Sequence, residues 1–191
     1  MVQPRERNIL WRRLDATGLE HLRLLVDAKG SIADGLVISV ESDRAFRLQY
    51  QVRCDSEWRC RSAEIVLLGS EADKLILTKQ PEENWIANGR PVEGSINCVD
   101  VDISATPFTN TLPIRRLKLE AGQSSEISAL YILVPALTVR VAKQTYRRMR
   151  QSRAEATYVY QGLDRQDYRV MVDADGLVTE YEGIFARVSI G

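Results

Sequence analysis

Residues 46–55 read FRLQYQVRCD. Phe46, Leu48, Tyr50, Val52 and Cys54 fall on one parity, and Arg47, Gln49, Gln51, Arg53 and Asp55 on the other. Successive side chains of an extended chain point to opposite faces, so the stretch predicts a strand with one apolar and one polar side. The same pattern recurs outward from it. WRCRSAEIVLL predicts the next strand after the turn DSE, and DKLILTK and NWIANGRPVEG follow, with Asn88-Gly89 as a hairpin turn. Further alternating runs are SINCVDVDISA, ALYILVPALTVRV, ATYVYQG, DYRVMVDADGLVTEYEG and FARVSIG, and DADG marks another hairpin. Short strands with turns every eight to twelve residues or so predict a mainly β chain: a sandwich, barrel or roll.

Helix signals are few. LEHLRLLVDAKG has some helical periodicity, but Leu22, Leu24 and Val26 also alternate, and a strand is expected there. TPFTNTLPIRRL carries a helix start, with Thr106 as N-cap and Pro107 at the first helical position. Pro113 limits that helix to a short or kinked one. KQTYRRMRQSRAEA is the other helix candidate, and the leading MVQPRERN is expected to fray. No linker or repeat divides the 191 residues, so a single domain over 1–191 is expected.

The charge balance bounds the function. The 26 basic and 26 acidic residues cancel, which argues against a nucleic-acid binder held by a global basic field. His21 is the only histidine, leaving almost no room for a triad with a His base. Cys54, Cys60 and Cys98 have no framework or metal-ligand spacing and read as reduced thiols, so no metal or other cofactor is expected. The longest apolar run, ALYILVPALTV, is eleven residues with a proline inside, too short for a membrane helix. The N-terminus has no signal-peptide core, so a cytoplasmic location is expected unless a leader has been removed.

The candidate site lies in residues 99–119, VDVDISATPFTNTLPIRRLKL. On a strand, Asp100, Asp102 and Ser104 share one face, and Val99, Val101, Ile103 and Ala105 share the other, apolar one. Two readings of the aspartates stand. They are the solvated face of a half-exposed strand, or they line an acidic pocket and accept hydrogen bonds from sugar hydroxyls. In the second reading Arg115 and Arg116 position or neutralise. A glycosidase acid/base pair fits less well, because such carboxylates flank the scissile bond from opposite sides. Thr106, Thr109, Asn110 and Thr111 either close turns on the backbone or offer polar groups to a ligand. The basic run Arg140, Lys143, Arg147, Arg148, Arg150 and Arg153, interleaved with Tyr146 and Met149, is either a solvated face or a contact for phosphate head groups or nucleic acid. Trp58 is either core or a cover for a sugar face or an arginine. Trp11 and Trp85 are expected to pack in the core.

The string DVDISATPFTNTLPIRRLKL resembles the signature of a bacterial family formerly of unknown function and since named for glycolipid binding. YQVRCDSEWRCR, QTYRR and VMVDADGLVTEYEGIF follow in the family's order. The resemblance implies a many-stranded curved sheet, a β-roll or partly open barrel, wrapped around a single short α-helix and assembled as a homodimer. It also implies a remote likeness to lipoprotein localisation factors, whose curved sheets hold acyl chains. The ligand it implies is a sugar-bearing lipid held in an acidic pocket. By this resemblance Asp100, Asp102, Thr109, Asn110, Arg115 and Arg116 are candidate ligand contacts. Trp58 and Tyr146 join them from the local reading. No catalytic residue is assigned. An enzyme using Asp100 or Asp102 as acid or base, and a ligand-free interaction module, remain alternatives.

Overall fold

The computed structural model describes residues 5–69, 73–81, 84–149 and 156–189. Its strands are β1 (Arg5–Arg13), β2 (Gly18–Asp27), β3 (Gly30–Glu41), β4 (Arg44–Asp55), β5 (Cys60–Leu67), β6 (Lys74–Lys79), β7 (Trp85–Ala87) and β8 (Arg90–Pro91). A 3-10 turn at Ser95–Asn97 leads to β9 (Cys98–Ile103). A second 3-10 turn, Phe108–Asn110, runs into the helix α1 (Thr111–Leu117). The chain then returns as β10 (Ser124–Leu133), β11 (Thr138–Arg148), β12 (Ala156–Gln161), β13 (Asp167–Val172), β14 (Val178–Tyr181) and β15 (Phe185–Val188).

All 15 strands form one sheet, in the order 8-7-6-5-4-3-2-1-15-14-13-12-11-10-9. Every pairing is antiparallel except β9 with β10. The chain starts mid-sheet, meanders out to β8, crosses to the opposite edge at β9 and meanders back to β1. That crossing dictates the shape. Laid flat at ~4.8 Å per strand, the two edges would lie roughly 65 Å apart. The connection from β8 to β9 is residues 92–97, and a chain of that length reaches at most about 25 Å. The sheet must therefore curl until its edges approach. Trp85 Nε1, next to one edge, donates to the Cys98 carbonyl on the other at 2.8 Å, and Lys79 Nζ donates to the same oxygen at 2.6 Å. No ladder joins β8 to β9, so the sheet is open and curved rather than a closed barrel.

The concave interior is filled by the helical segment. Phe108, Leu112 and Ile114 are buried there against the inward parity of the strands, which includes Trp11, Leu22, Leu48, Ile65 and Leu77. Tyr50 stacks on Phe108 with ring centroids 6.4 Å apart. Each such side chain contributes about 1.5–3 kcal/mol by leaving water. Thr106 Oγ1 accepts from the Phe108 N–H at 3.0 Å, so the expected capping residue does cap, over the 3-10 turn. Pro113 is the third residue of α1, where its missing N–H has no intrahelical acceptor to lose, and it does not break the helix. Asn88 and Gly89, with φ of 46° and 80°, form the expected tight turn between β7 and β8. Trp11 and Trp85 are core residues, as expected.

Two expectations are corrected. Residues 5–8 do not fray: they are part of β1, whose Ile9 and Trp11 point inward and whose Arg5 and Arg7 are tied to Asp175. Residues 1–4 lie outside the described residues. The second helix candidate is not a helix over Lys143–Arg148, which is part of β11; alternating Ala142, Gln144 and Tyr146 are buried. Residues 150–155 of that candidate, including Arg150 and Arg153, lie outside the described residues.

Gly35 shows how closely the wall packs. It faces Tyr50 across the β3–β4 ladder, and a Cβ there would fall 2.2 Å from the tyrosine ring. The ring cannot swing aside freely, because its hydroxyl is bonded to Glu20. Gly35→Ala is therefore expected to destabilise the fold by about 1–3 kcal/mol, measured by urea unfolding. Unchanged stability would show that Tyr50 is mobile.

Candidate functional site

The strand parity read from residues 99–105 holds, but both faces are covered. Val101 and Ile103 are buried on one side, and on the other Asp100 is 1% exposed. The aspartates face the helical segment and the inward side chains of β11 and β12. Neither lies on a solvated face.

Asp100 is paired with Arg116 of α1, whose Nε and Nη2 both donate to its carboxylate. Burial pushes the Asp100 carboxyl up, and the guanidinium offsets only part of that. Asp102 takes three donors instead of an arginine. Gln144 Nε2 donates to Oδ2 at 2.5 Å, Thr109 Oγ1 to Oδ1 at 3.2 Å and Tyr160 Oη to Oδ2 at 3.3 Å. Burial raises its pKa as well, against the pull of these neutral donors. Tyr146 Oη donates to Asn110 Oδ1 at 2.9 Å, tying β11 to the 3-10 turn. The Thr106, Thr109 and Asn110 side chains thus bond the protein, as in the backbone-closing reading, but carboxylates are among their partners, and the buried Thr111 Oγ1 has no partner among the described residues.

Two cavities open at opposite ends of the helical segment. The first, about 350 Å3, is reached from the Thr106 and Asn110 end. Asp102 lines it, with Tyr131, Tyr160, Tyr168 and Tyr181 around it and Asp15, Glu41 and Asp164 as further carboxylates. Arg13 and Arg140 are its two cations. Arg13 is held by Asp15 at 2.9 Å and Glu41 at 3.0 Å, and Arg140 lies over the Tyr131 ring at 5.2 Å. Leu133 and Leu163, 42% and 44% exposed, belong to the same lining and leave apolar surface facing water. The second cavity, about 630 Å3, lies at the other end, beyond the last turn of α1.

The eight candidate contacts therefore separate. Asp102 and Asn110 line the smaller cavity, and Trp58, Arg115 and Arg116 line the larger one. Asp100, Thr109 and Tyr146 line neither and form the bonded wall between. Trp58 is buried, and the Arg115 guanidinium sits 4.5 Å from its ring centroid, so it is both a core residue and the cover of an arginine.

The sequence reading missed the four tyrosines of the smaller cavity and one buried acid. Glu20 of β2 is 2% exposed. Its Oε1 accepts from Tyr50 Oη at 2.5 Å and Thr106 Oγ1 at 2.7 Å, while Oε2 has no partner. Burial pushes its carboxyl up to about 8 against those two bonds. A signal existed: Glu20 shares the parity of Leu22 and Leu24, a charged residue at a core position. The three cysteines are free and buried. No described helix is long and apolar enough to cross a membrane.

Comparison with known proteins gives three findings. A family model described as "Putative glycolipid-binding" matches residues 8–187. A DUF1089-family protein from Pseudomonas aeruginosa, known from a crystal structure at 1.80 Å, shares 33% sequence identity. That alignment covers 90% of this chain and 92% of the other, with a TM-score of 0.73. No curated protein matches.

Proposed function

The chain belongs to this glycolipid-binding family, and on that premise we propose that it binds the sugar head of a glycolipid in the smaller cavity, above Asp102. One observation carries the reading: a half-buried carboxylate held by three donors forms part of a cavity that also gathers four tyrosines and three further carboxylates. Ionised acceptors make the stronger hydrogen bonds to hydroxyl groups, and tyrosine rings offer flat apolar faces for sugar C–H groups. The volume is at the low end of small-molecule sites, ~300–1,000 Å3. It suits one or two sugar rings rather than an acyl chain.

The curled sheet offers no interior groove for the lipid tail, because Phe108, Leu112 and Ile114 already fill it. The tail instead lies over the rim, on Leu133 and Leu163. In this proposal Asp100, Thr109 and Tyr146 hold the wall, and Asn110 lines the cavity beside Asp102. A homodimer, a cytoplasmic location and a role in glycolipid metabolism belong to the same proposal; gel filtration tests the first.

Calorimetric titration with a short-chain glycolipid tests the site. Asp102→Asn is expected to weaken binding by roughly tenfold to a hundredfold, the value of a hydrogen bond to a charged group. Tyr168→Phe, at a partly exposed position that tolerates the change, is expected to weaken it a few-fold. Binding unchanged in both variants sinks the reading. A second reading, a hydrolase using Asp102 as acid, draws on the upward push that burial gives this carboxyl within a cavity. Turnover of model glycosides, abolished in Asp102→Asn, would favour it over binding alone.

A further inference from the structure

The larger cavity has the opposite electrical character. Its lining includes Arg59, Arg115, Arg116, Lys118 and Arg148, together with the acids Glu57, Asp173 and Asp175. The acids are already engaged. Glu57 pairs with Arg59, Asp173 with Arg187 at 2.8 Å, and Asp175 with Arg5 at 2.8 Å and with Arg7. Arg5, Arg7 and Arg187 reach Asp173 and Asp175 from outside this lining, so among the described residues only Arg59 and Arg116 of the cavity's cations are held in an ion pair. Arg116 is matched by Asp100.

Arg115, Arg148 and Lys118 remain. Among the described residues none of the three forms an ion pair with a carboxylate. Arg115 Nη1 donates to the Asp175 carbonyl at 2.5 Å and Arg148 Nη1 to the Leu119 carbonyl at 2.9 Å, bonds that orient the guanidinium groups without cancelling their charge. Half-burial pushes the Arg115 pKa down, and the charges of Asp175 and Asp173 nearby offset only part of that. The wall is built at a backbone cost as well. Trp58, whose indole carries the Arg115 guanidinium, has φ of 64°, an unfavourable state for an aromatic residue. Ile114, Leu117, Tyr158 and Val172 add apolar surface beside the charges.

We propose that this cavity binds the phosphate group of an organic phosphate, a monoester or diester, between Arg115, Arg148 and Lys118. Forked guanidinium donors match phosphate oxygens, and the apolar wall takes the organic part. The proposal does not rest on the sugar site, which lies at the other end of the helical segment.

The test has two arms, because the phosphate can be free or part of a lipid head group. In the soluble arm, calorimetry measures glycerol 3-phosphate binding. In the membrane arm, flotation measures recruitment to vesicles of phosphatidylglycerol in phosphatidylcholine against phosphatidylcholine alone. Binding in the soluble arm supports a free organic phosphate, and binding confined to the charged vesicles supports a lipid head group. Arg115→Met, which keeps an apolar stem on Trp58, is expected to weaken whichever binding is seen by about tenfold or more. Lys118→Gly suits the left-handed backbone at that position (φ 48°), so it folds and is expected to cost about threefold. Asp102→Asn should leave phosphate binding unchanged, which separates this site from the sugar site. No binding in either arm, or binding undiminished in both Arg115→Met and Lys118→Gly, overturns the proposal.

Discussion

Arg116→Ala is expected to lose about 3–5 kcal/mol of stability at pH 7.5, because it strips the counter-charge from a carboxylate 1% exposed to water. The loss should depend on pH. Burial already lifts the Asp100 carboxyl with Arg116 present, and removing the guanidinium lifts it further. A folded-state pKa above the unfolded one means that rising pH favours unfolding, until the folded group has also ionised. Near pH 4.5 the variant escapes most of the penalty by protonating Asp100; at pH 7.5 it pays it in full. Urea unfolding at the two pH values measures the difference. Asp100→Asn in the Arg116→Ala background should recover part of the stability at pH 7.5 and little at pH 4.5. Equal losses at both pH values would mean that Asp100 reaches water in the variant.

Glu20 should make the protein less stable as pH rises from about 5 to 8. Its carboxyl titrates near 4.5 when solvated and at about 8 in the fold. Below the first value both states hold the proton. Between the two the folded state holds a proton that the unfolded state has lost, so each pH unit costs at most about 1.4 kcal/mol from this group. Above the second value both states are ionised and the effect saturates. The bare Oε2 is where the proton can sit without disturbing the bonds from Tyr50 and Thr106 to Oε1. Glu20→Gln keeps an acceptor for those bonds but buries an unpaired amide, a cost of about 1–3 kcal/mol. The two stability curves should therefore cross, with the variant less stable at pH 5 and more stable at pH 9. Parallel curves across that range would show that Glu20 does not titrate there.

Much of the fold was legible in the alternation. Tyr50, Val52 and Cys54 point inward as their parity requires, and the helical segment begins where Thr106 and Pro107 allow and stays short, as Pro113 suggested. The failures had a common cause. Residues 5–8 read as part of a fraying end because the partners of their strand, β2 and β15, lie in different parts of the chain. Lys143–Arg148 carries polar residues at core positions, and what makes them suitable there is distant: Gln144 meets Asp102, and Tyr146 meets Asn110.

By itself, the order of residues determined a mainly β chain, one short helix near residue 110, and an aspartate-bearing strand leading into it. Those are local properties, set by side-chain parity and by where proline and threonine permit a turn. Tertiary structure alone decided that Asp100 is buried and Asp102 half-buried, that one takes an arginine and the other neutral donors, and that the candidate contacts divide between an acidic and a basic cavity. The reason is the curl. A six-residue crossing forces the two edges of a fifteen-stranded sheet together, and only then do side chains more than forty residues apart meet.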